Sequence, residues 1–256
     1  MLLQNLSWTG AKEWFAKTDL VILPTGSCEQ HGPQAPLGTD FLVAGEISRR
    51  VGEKVGCLVA PTVNYGYCPW HLDFPGTISI DEDALFGLYM TISEQLVKWG
   101  AKHLMFINGH GGNSGSLDRV AVRMRSRGVL CVVADWWVVV GNINPDWVER
   151  GHGGVTETSV VLHLFPDLVN MSVAKPAVIK QYTPAVQTQG MNMVSFRGVP
   201  LKLRMRTADV SDVGNYGDDP RLSNAVLGKD AIDGVVDFLA DFAKEFVKIN
   251  IKADQP

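Results

Sequence analysis

Short apolar runs alternate with longer amphipathic stretches through the first two thirds of the chain. Asp19-Leu-Val-Ile-Leu-Pro24 reads as a buried strand closed by its proline. From Phe41 to Val55 the apolar positions Leu42, Val43, Ile47 and Val51 take helical spacing. Cys57-Leu-Val-Ala60 is a second strand, ended by Pro61, and Ala84–Trp99 is an amphipathic helix stopped by Gly100. His103-Leu-Met-Phe-Ile107 forms a third strand, Leu117–Ser126 a helix and Val129–Ala134 a fourth strand. Strand and helix in strict alternation predict a parallel sheet covered on both faces. Asn170–Asp219 breaks the rhythm, being rich in Pro, Gly, Gln and Thr, and reads as either a long excursion over one face or a short β insertion. Leu222–Ile251 closes the chain as an amphipathic helix. With no linker, repeat or low-complexity segment, residues 1–256 read as a single domain.

Composition narrows the classes. The 256 residues are 46% hydrophobic with a net charge of −4, which excludes disorder as the dominant state. Twenty-three Lys and Arg face 27 Asp and Glu, so no basic nucleic-acid grip is expected. Cys28, Cys57, Cys68 and Cys131 form no CxxC pair, which excludes a zinc knuckle and a dithiol redox motif. The N-terminus lacks the basic and apolar regions of a signal peptide. The most apolar stretch, Val129–Val140, is interrupted by Asp135 and is too short to span a bilayer. A cytoplasmic protein with reduced thiols, a small-molecule substrate and no membrane partner is the expectation.

Three unusual segments follow the predicted strands, where open α/β sheets bind ligands. They are Gly26-Ser-Cys28-Glu29-Gln-His31-Gly with Asp40 downstream, Asn108-Gly-His110-Gly-Gly-Asn113, and Gly151-His152-Gly-Gly-Val-Thr-Glu157-Thr-Ser. Histidine with carboxylate and no thiolate is a donor set for catalytic zinc, manganese or iron(II). Glu29 and His31, two apart on an extended segment, point the same way. Five or six donors exceed one tetrahedral ion and suit two ions about 3.5–4 Å apart that share a carboxylate. A histidine in a glycine loop can also simply stabilise the loop; three such loops with carboxylates favour the metal reading.

The remaining candidates divide. His103 heads a strand and His163 lies on an apolar helical pattern, so both read as structural. His71 sits in the aromatic loop Tyr65–Phe74 and is a candidate pocket residue, as is Trp137, although Trp136 and Trp137 could equally fill the core. The arginines between 119 and 127 read as a solvated helix face. Cys28 is a candidate nucleophile, but the adjacent Glu29 disfavours its thiolate.

Taken together, LPTGSCEQHGPQAPLGTD, FPGTISI, NGHGGNSG and HGGVTETS resemble, in order, the motifs of the creatininase (creatinine amidohydrolase) family, and the late segment VGNYGDDPR extends the likeness to about residue 230. The resemblance implies a three-layer α/β/α fold with a mainly parallel central sheet. It also implies a two-metal site with Glu29, His31, Asp40, His110 and Glu157 as ligands, Asp40 bridging. His152 matches the family's proton-handling histidine, and Thr77 and Ser79 follow the turn near the substrate loop. The implied reaction is hydrolysis of an amide C–N bond in a small, cyclic or formylated substrate by metal-activated water, with His152 protonating the departing nitrogen. A homo-oligomer, a hexamer of packed dimers, is implied as well.

Two departures stand out. Creatininase proper carries a metal-site glutamate two residues after the Asn-Gly-His histidine, where this chain has Gly112, and Trp147 lies five residues before His152 rather than four. Both point away from creatinine. NGHGGN looks instead like the wider family, which includes a deformylase of flavin biosynthesis and the mycofactocin-maturation peptidase. A formamide deformylase, a short-peptide hydrolase and an inactive ligand-binding scaffold are the alternatives.

Overall fold

The computed structural model describes residues 1–149 and 151–252. Four parallel strands form the central sheet: β1 (Leu20–Thr25), β2 (Leu58–Val59), β3 (His103–Asn108) and β4 (Leu130–Asp135), in spatial order β2-β1-β3-β4. The helices are α1 (Trp8–Phe15), α2 (Thr39–Val55), α3 (Glu82–Lys98), α4 (Ser114–Arg125), α5 (Trp136–Ile143), α6 (Val155–Leu164), α7 (Thr207–Val210) and α8 (Ala225–Phe246).

Side-chain alternation divides the core between the faces of the sheet. Leu20, Ile22, Met105 and Ile107 pack with buried residues of α2, α5, α6 and α8. Val21, Leu23, Leu104 and Phe106 pack with α3 and α4. Every residue of β1 and β3 is buried, as expected of strands covered on both faces. The result is the expected α/β/α sandwich. On α2, Val43, Ile47 and Val51 are fully buried at intervals of four, each contributing about 1.5–3 kcal/mol of apolar burial.

The chain turns outward in opposite directions from β1 and β3, so the topological switch point lies between these neighbours. Their carboxyl ends are in register, Thr25 opposite Asn108 and Asn108 opposite Asp135. Thr25 Oγ1 donates to Asn108 Oδ1 at 3.1 Å, and Asn108 Nδ2 donates to Asp135 Oδ1 at 2.7 Å. These bonds level the platform from which the glycine-rich loops leave.

Helix starts differ from the apolar pattern by two or three residues. α3 begins at Glu82 because Asp81 caps it, accepting from the Asp83 and Ala84 amides. The apolar run Val129–Val140 splits at Asp135 into β4 and α5. α8 is shorter than its pattern, ending at Phe246. Of the two readings of Asn170–Asp219, the β insertion holds: β5 (Val186–Gly190), β6 (Met193–Phe196) and β7 (Val199–Lys202) form an antiparallel sheet. Among the described residues no helix is long and apolar enough to cross a membrane, and all four cysteines are free.

Candidate metal centre

The β1–α2 loop, the β3–α4 loop, and the start of α6 with its preceding loop converge over the switch point. Asp40 lies in the first turn of α2 and Glu157 in the first turn of α6, where the helix dipole favours a carboxylate. Glu29, His31, Asp40, His110, His152 and Glu157 are all buried.

Three histidines share one device. His31 Nδ1 lies 3.1 Å from the Glu29 carbonyl, His110 Nε2 2.9 Å from the Tyr67 carbonyl and His152 Nε2 2.6 Å from the Gln30 carbonyl. A carbonyl only accepts, so these bonds assign the proton to those nitrogens. The other nitrogen of each ring then faces carboxylates. His31 Nε2 is 2.9 Å from Asp40 Oδ1; His110 Nδ1 is 3.1 Å from Glu29 Oε2 and 3.3 Å from Asp40 Oδ2; His152 Nδ1 is 4.0 Å from Glu29 Oε1. Anchoring one nitrogen to present the other is how metal-ligating histidines are held.

Donor atoms within 4.8 Å of one another form three groups: Glu29, Asp40 and His110; His31, Asp40 and Glu157; and Glu29, His31 and His152. The first two share Asp40. Glu29 Oε2, Asp40 Oδ2 and His31 Nε2 are buried without a hydrogen-bond partner despite their proximity. Buried charges so arranged require compensation, and convergent donors of this type fit divalent cations.

Protonation follows the crowding. Burial lowers the affinity of His31 for a proton, but Asp40, Glu157 and Glu29 more than reverse this and raise its pKa to about 10. His110 is likewise raised, Glu29 and Asp40 outweighing burial. Burial resists ionisation of Asp40, but His31 and His110 hold its carboxyl well below the usual range. Burial raises Glu157 to about 7, with His31 opposing and Asp40 reinforcing the rise. His152 is pushed down to about 3 by burial and by the neighbouring His31, so it stays neutral.

Glycine makes the close approaches possible. A Cβ on Gly109 would lie 2.3 Å from the Asp40 carbonyl oxygen; on Gly112 it would lie 1.9 Å from the Tyr67 oxygen and 2.5 Å from His110 Nε2. As folded here, the loop leaves no room for a side chain at 112.

A cavity of about 800 Å³ opens over these donors, with Tyr67, Trp70, Trp137, Met191 and Arg204 in its wall. Trp137 is therefore at the cavity, whereas Trp136 is buried in the core. One pocket expectation needs correction. Ser79 is outside the cavity lining: its hydroxyl accepts the Cys68 N–H at 2.9 Å and donates to the Ile80 carbonyl, tying down the aromatic loop. His71 lies in the cavity wall but has no exposed surface, with His152 stacked on it at 4.4 Å. Gln30 Nε2 approaches His71 Nδ1 at 2.9 Å, which leaves the His71 proton on Nε2, 3.4 Å from Glu29 Oε1. His71 Nε2 is nonetheless buried without a hydrogen-bond partner, and burial together with His152 and His110 keeps the ring neutral beside Glu29.

Cys28 Sγ lies against the Gly76 carbonyl, outside the cavity lining, and burial together with Glu29 and Asp40 raises its pKa. His103 is held between Asp19 and the Ile249 carbonyl. Trp147 packs against the core at Gly234 of α8. The motif pattern passed over Gln30, Glu149 and Tyr216. Glu149 accepts the Glu157 N–H at 2.9 Å, and Tyr216 exchanges backbone hydrogen bonds with His152 at 2.9 and 3.0 Å. Gln30 had a usable signal, since the residue between Glu29 and His31 must face away from them; Glu149 had none.

The family model described as Creatininase: Creatinine amidohydrolase matches residues 4–243. The chain belongs to the creatininase family. It is 32% identical over 229 residues to the "Mycofactocin precursor peptide peptidase" of Mycobacterium ulcerans (strain Agy99), spanning 85% of this chain and 81% of that protein. It is 34% identical over 190 residues to the "Creatinine amidohydrolase" of Pseudomonas putida, spanning 65% and 73%. The solved structure "Creatininase Mn" superposes with a TM-score of 0.76 at 26% identity, covering 96% of this chain and 98% of that one. As a creatininase-family member this protein is a hydrolase of C–N amide bonds, and its histidine–carboxylate centre is suited to divalent metal.

Proposed function

We propose that this protein is a dinuclear metal-dependent amidohydrolase. The observation that carries the reading is the pair of donor groups sharing Asp40. Glu29 and His110 would hold one ion, His31 and Glu157 the other, and Asp40 would bridge them. Zinc, manganese and iron(II) all suit a nitrogen and oxygen donor set without thiolate. Bound there, two such ions would supply Lewis-acid polarisation of an amide carbonyl and activation of water.

The chain's own part is proton handling and orientation. His152, neutral and anchored through Nε2, presents Nδ1 toward Glu29 at 4.0 Å. A proton accepted at that nitrogen can be passed to the departing amine, the role of a positioned acid–base group. Glu149 fixes the Glu157 backbone. Trp137 and Tyr67 stand in the cavity wall.

The cavity of about 800 Å³ exceeds what a single five-membered ring fills. With the peptidase among its relatives, this favours an amide of the size of a short peptide or acylated amino acid over creatinine. The test is elemental analysis of the purified protein with hydrolysis assays on cyclic ureides, formamides and N-blocked dipeptides. About two divalent ions per chain are expected, with activity lost to chelation and restored in part by manganese or zinc. Full activity after verified metal removal would defeat the reading.

A further inference from the structure

Arg204, just beyond β7, lies in the cavity wall and has no carboxylate partner among the described residues. Arg206 is different, being paired with Asp73 at 3.0 Å and with Asp209 at 3.6 Å. The Arg204 guanidinium carbon lies 5.8 Å from the centre of the Trp70 ring, and Trp70 in turn stacks on His110 at 6.2 Å and 26°. A guanidinium laid on an aromatic face keeps its edge N–H groups available as a fork for a carboxylate. At the same wall, Trp70 Nε1 is a buried donor without an acceptor. The remaining acidic groups of the wall are otherwise engaged or unpaired with Arg204: Glu149 accepts the Glu157 N–H, and Glu82 begins α3.

The geometry points to Arg204, backed by Trp70, as the group that binds a carboxylate on the substrate. The preferred amides then carry one negative charge, because a single guanidinium is unneutralised there while Arg206 is already paired. Two steps of 6.2 and 5.8 Å separate Arg204 from the His110 ring. An extended chain advances about 3.3–3.6 Å per residue, so the carboxylate lies within roughly three residues of the scissile bond. This assignment rests on the amidohydrolase reading for the identity of that bond, and it excludes creatinine, which carries no carboxylate.

Two measurements on the metal-loaded full-length chain test it. The first is binding of N-benzoylglycine against its carboxamide, followed by calorimetry or quenching of tryptophan fluorescence. The second is hydrolysis of N-acyl amino acids and N-blocked dipeptides, each as free acid and as amide, with a phosphorylated analogue added to the panel. A preference of roughly tenfold or more for the carboxylate form is expected, the worth of a charge-assisted hydrogen bond. Arg204→Ala brings the ratio close to one, and Arg204→Lys restores part of it, with metal content equal to wild type in both. Equal affinity for acid and amide, no binding of either, a preference for the phosphorylated analogue, or a ratio that survives Arg204→Ala overturns the assignment. A binding preference that disappears in Arg204→Ala, with no amide hydrolysed, supports the carboxylate site and defeats the amidohydrolase reading instead.

Discussion

A single methyl group at position 112 tests whether the β3–α4 loop is closed as tightly as the structure shows. In Gly112→Ala the new Cβ would sit 1.9 Å from the Tyr67 carbonyl oxygen, 2.5 Å from His110 Nε2 and 3.1 Å from His110 Cδ2. The backbone oxygen cannot swing aside as a side chain would, so the loop must move. Overpacking of this type costs about 1–3 kcal/mol. The bond between His110 Nε2 and the Tyr67 oxygen is stretched or lost in the process, adding about 1 kcal/mol. For a chain of this length each kcal/mol lowers Tm by roughly 2–4 °C, so a fall of about 4–16 °C is expected. The functional consequence follows from the same bond, which orients His110 toward Glu29 and Asp40. Loss of such an orienting partner costs about 10–100-fold in metal affinity or activity. Thermal unfolding with and without added manganese, together with elemental analysis after dialysis, reads both effects. Gly112→Glu should be worse on both counts and should not create creatinine hydrolysis. A Gly112→Ala protein that melts within about 1 °C of wild type and keeps its metal would refute the steric argument.

Three further outcomes follow from the site. Asp40→Asn should empty both positions, since both donor groups lose their shared ligand, whereas His152→Ala should retain metal while kcat falls on the order of 10²–10⁴-fold. If His152→Ala loses metal as completely as Asp40→Asn, His152 is a ligand. Cys28→Ala should keep at least about a tenth of kcat/KM, a loss below about 1.4 kcal/mol; a thousandfold loss with metal still bound would restore the cysteine nucleophile. In metal-free protein the pKa of His31 is raised from 6.5 to about 10, so its stabilising contribution is complete below pH 6.5 and is lost as pH rises through 10. Tm of the metal-free form should therefore fall across that interval, and metal loading, which displaces the proton, should flatten the slope. A metal-free Tm that stays level from pH 6.5 to 10 would remove the protonated His31.

Much of the architecture is written locally. Buried β-strands read as apolar runs, and α2 shows its core face through Val43, Ile47 and Val51, because alternation and helical spacing are properties of the backbone itself. The same locality brought the site's histidines and carboxylates into view. They sit in glycine-rich segments directly after strands, and a parallel sheet delivers its strand ends to one edge. Helix starts were less legible, because capping residues such as Asp81 are polar and leave no mark on apolar periodicity. The split of Val129–Val140 at Asp135 and the sheet formed by β5, β6 and β7 depended on what those segments pack against.

Tertiary structure alone decided the finer chemistry. Which nitrogen of His31, His110 and His152 faces the carboxylates depends on carbonyls at Glu29, Tyr67 and Gln30, two of them far from their histidines along the chain. Ser79, adjacent to the right motif, braces the aromatic loop because its hydroxyl is already spent on protein partners, and His71 is fully buried in the cavity wall. Arg204 reaches the cavity only because the β insertion carries it there, and an arginine between Leu203 and Met205, two residues from Arg206, carries no sign of what it will face. Sequence thus determined the elements and the donor types, which depend on near neighbours; the orientation of each donor depends on contacts between distant residues, and only the folded chain supplies those.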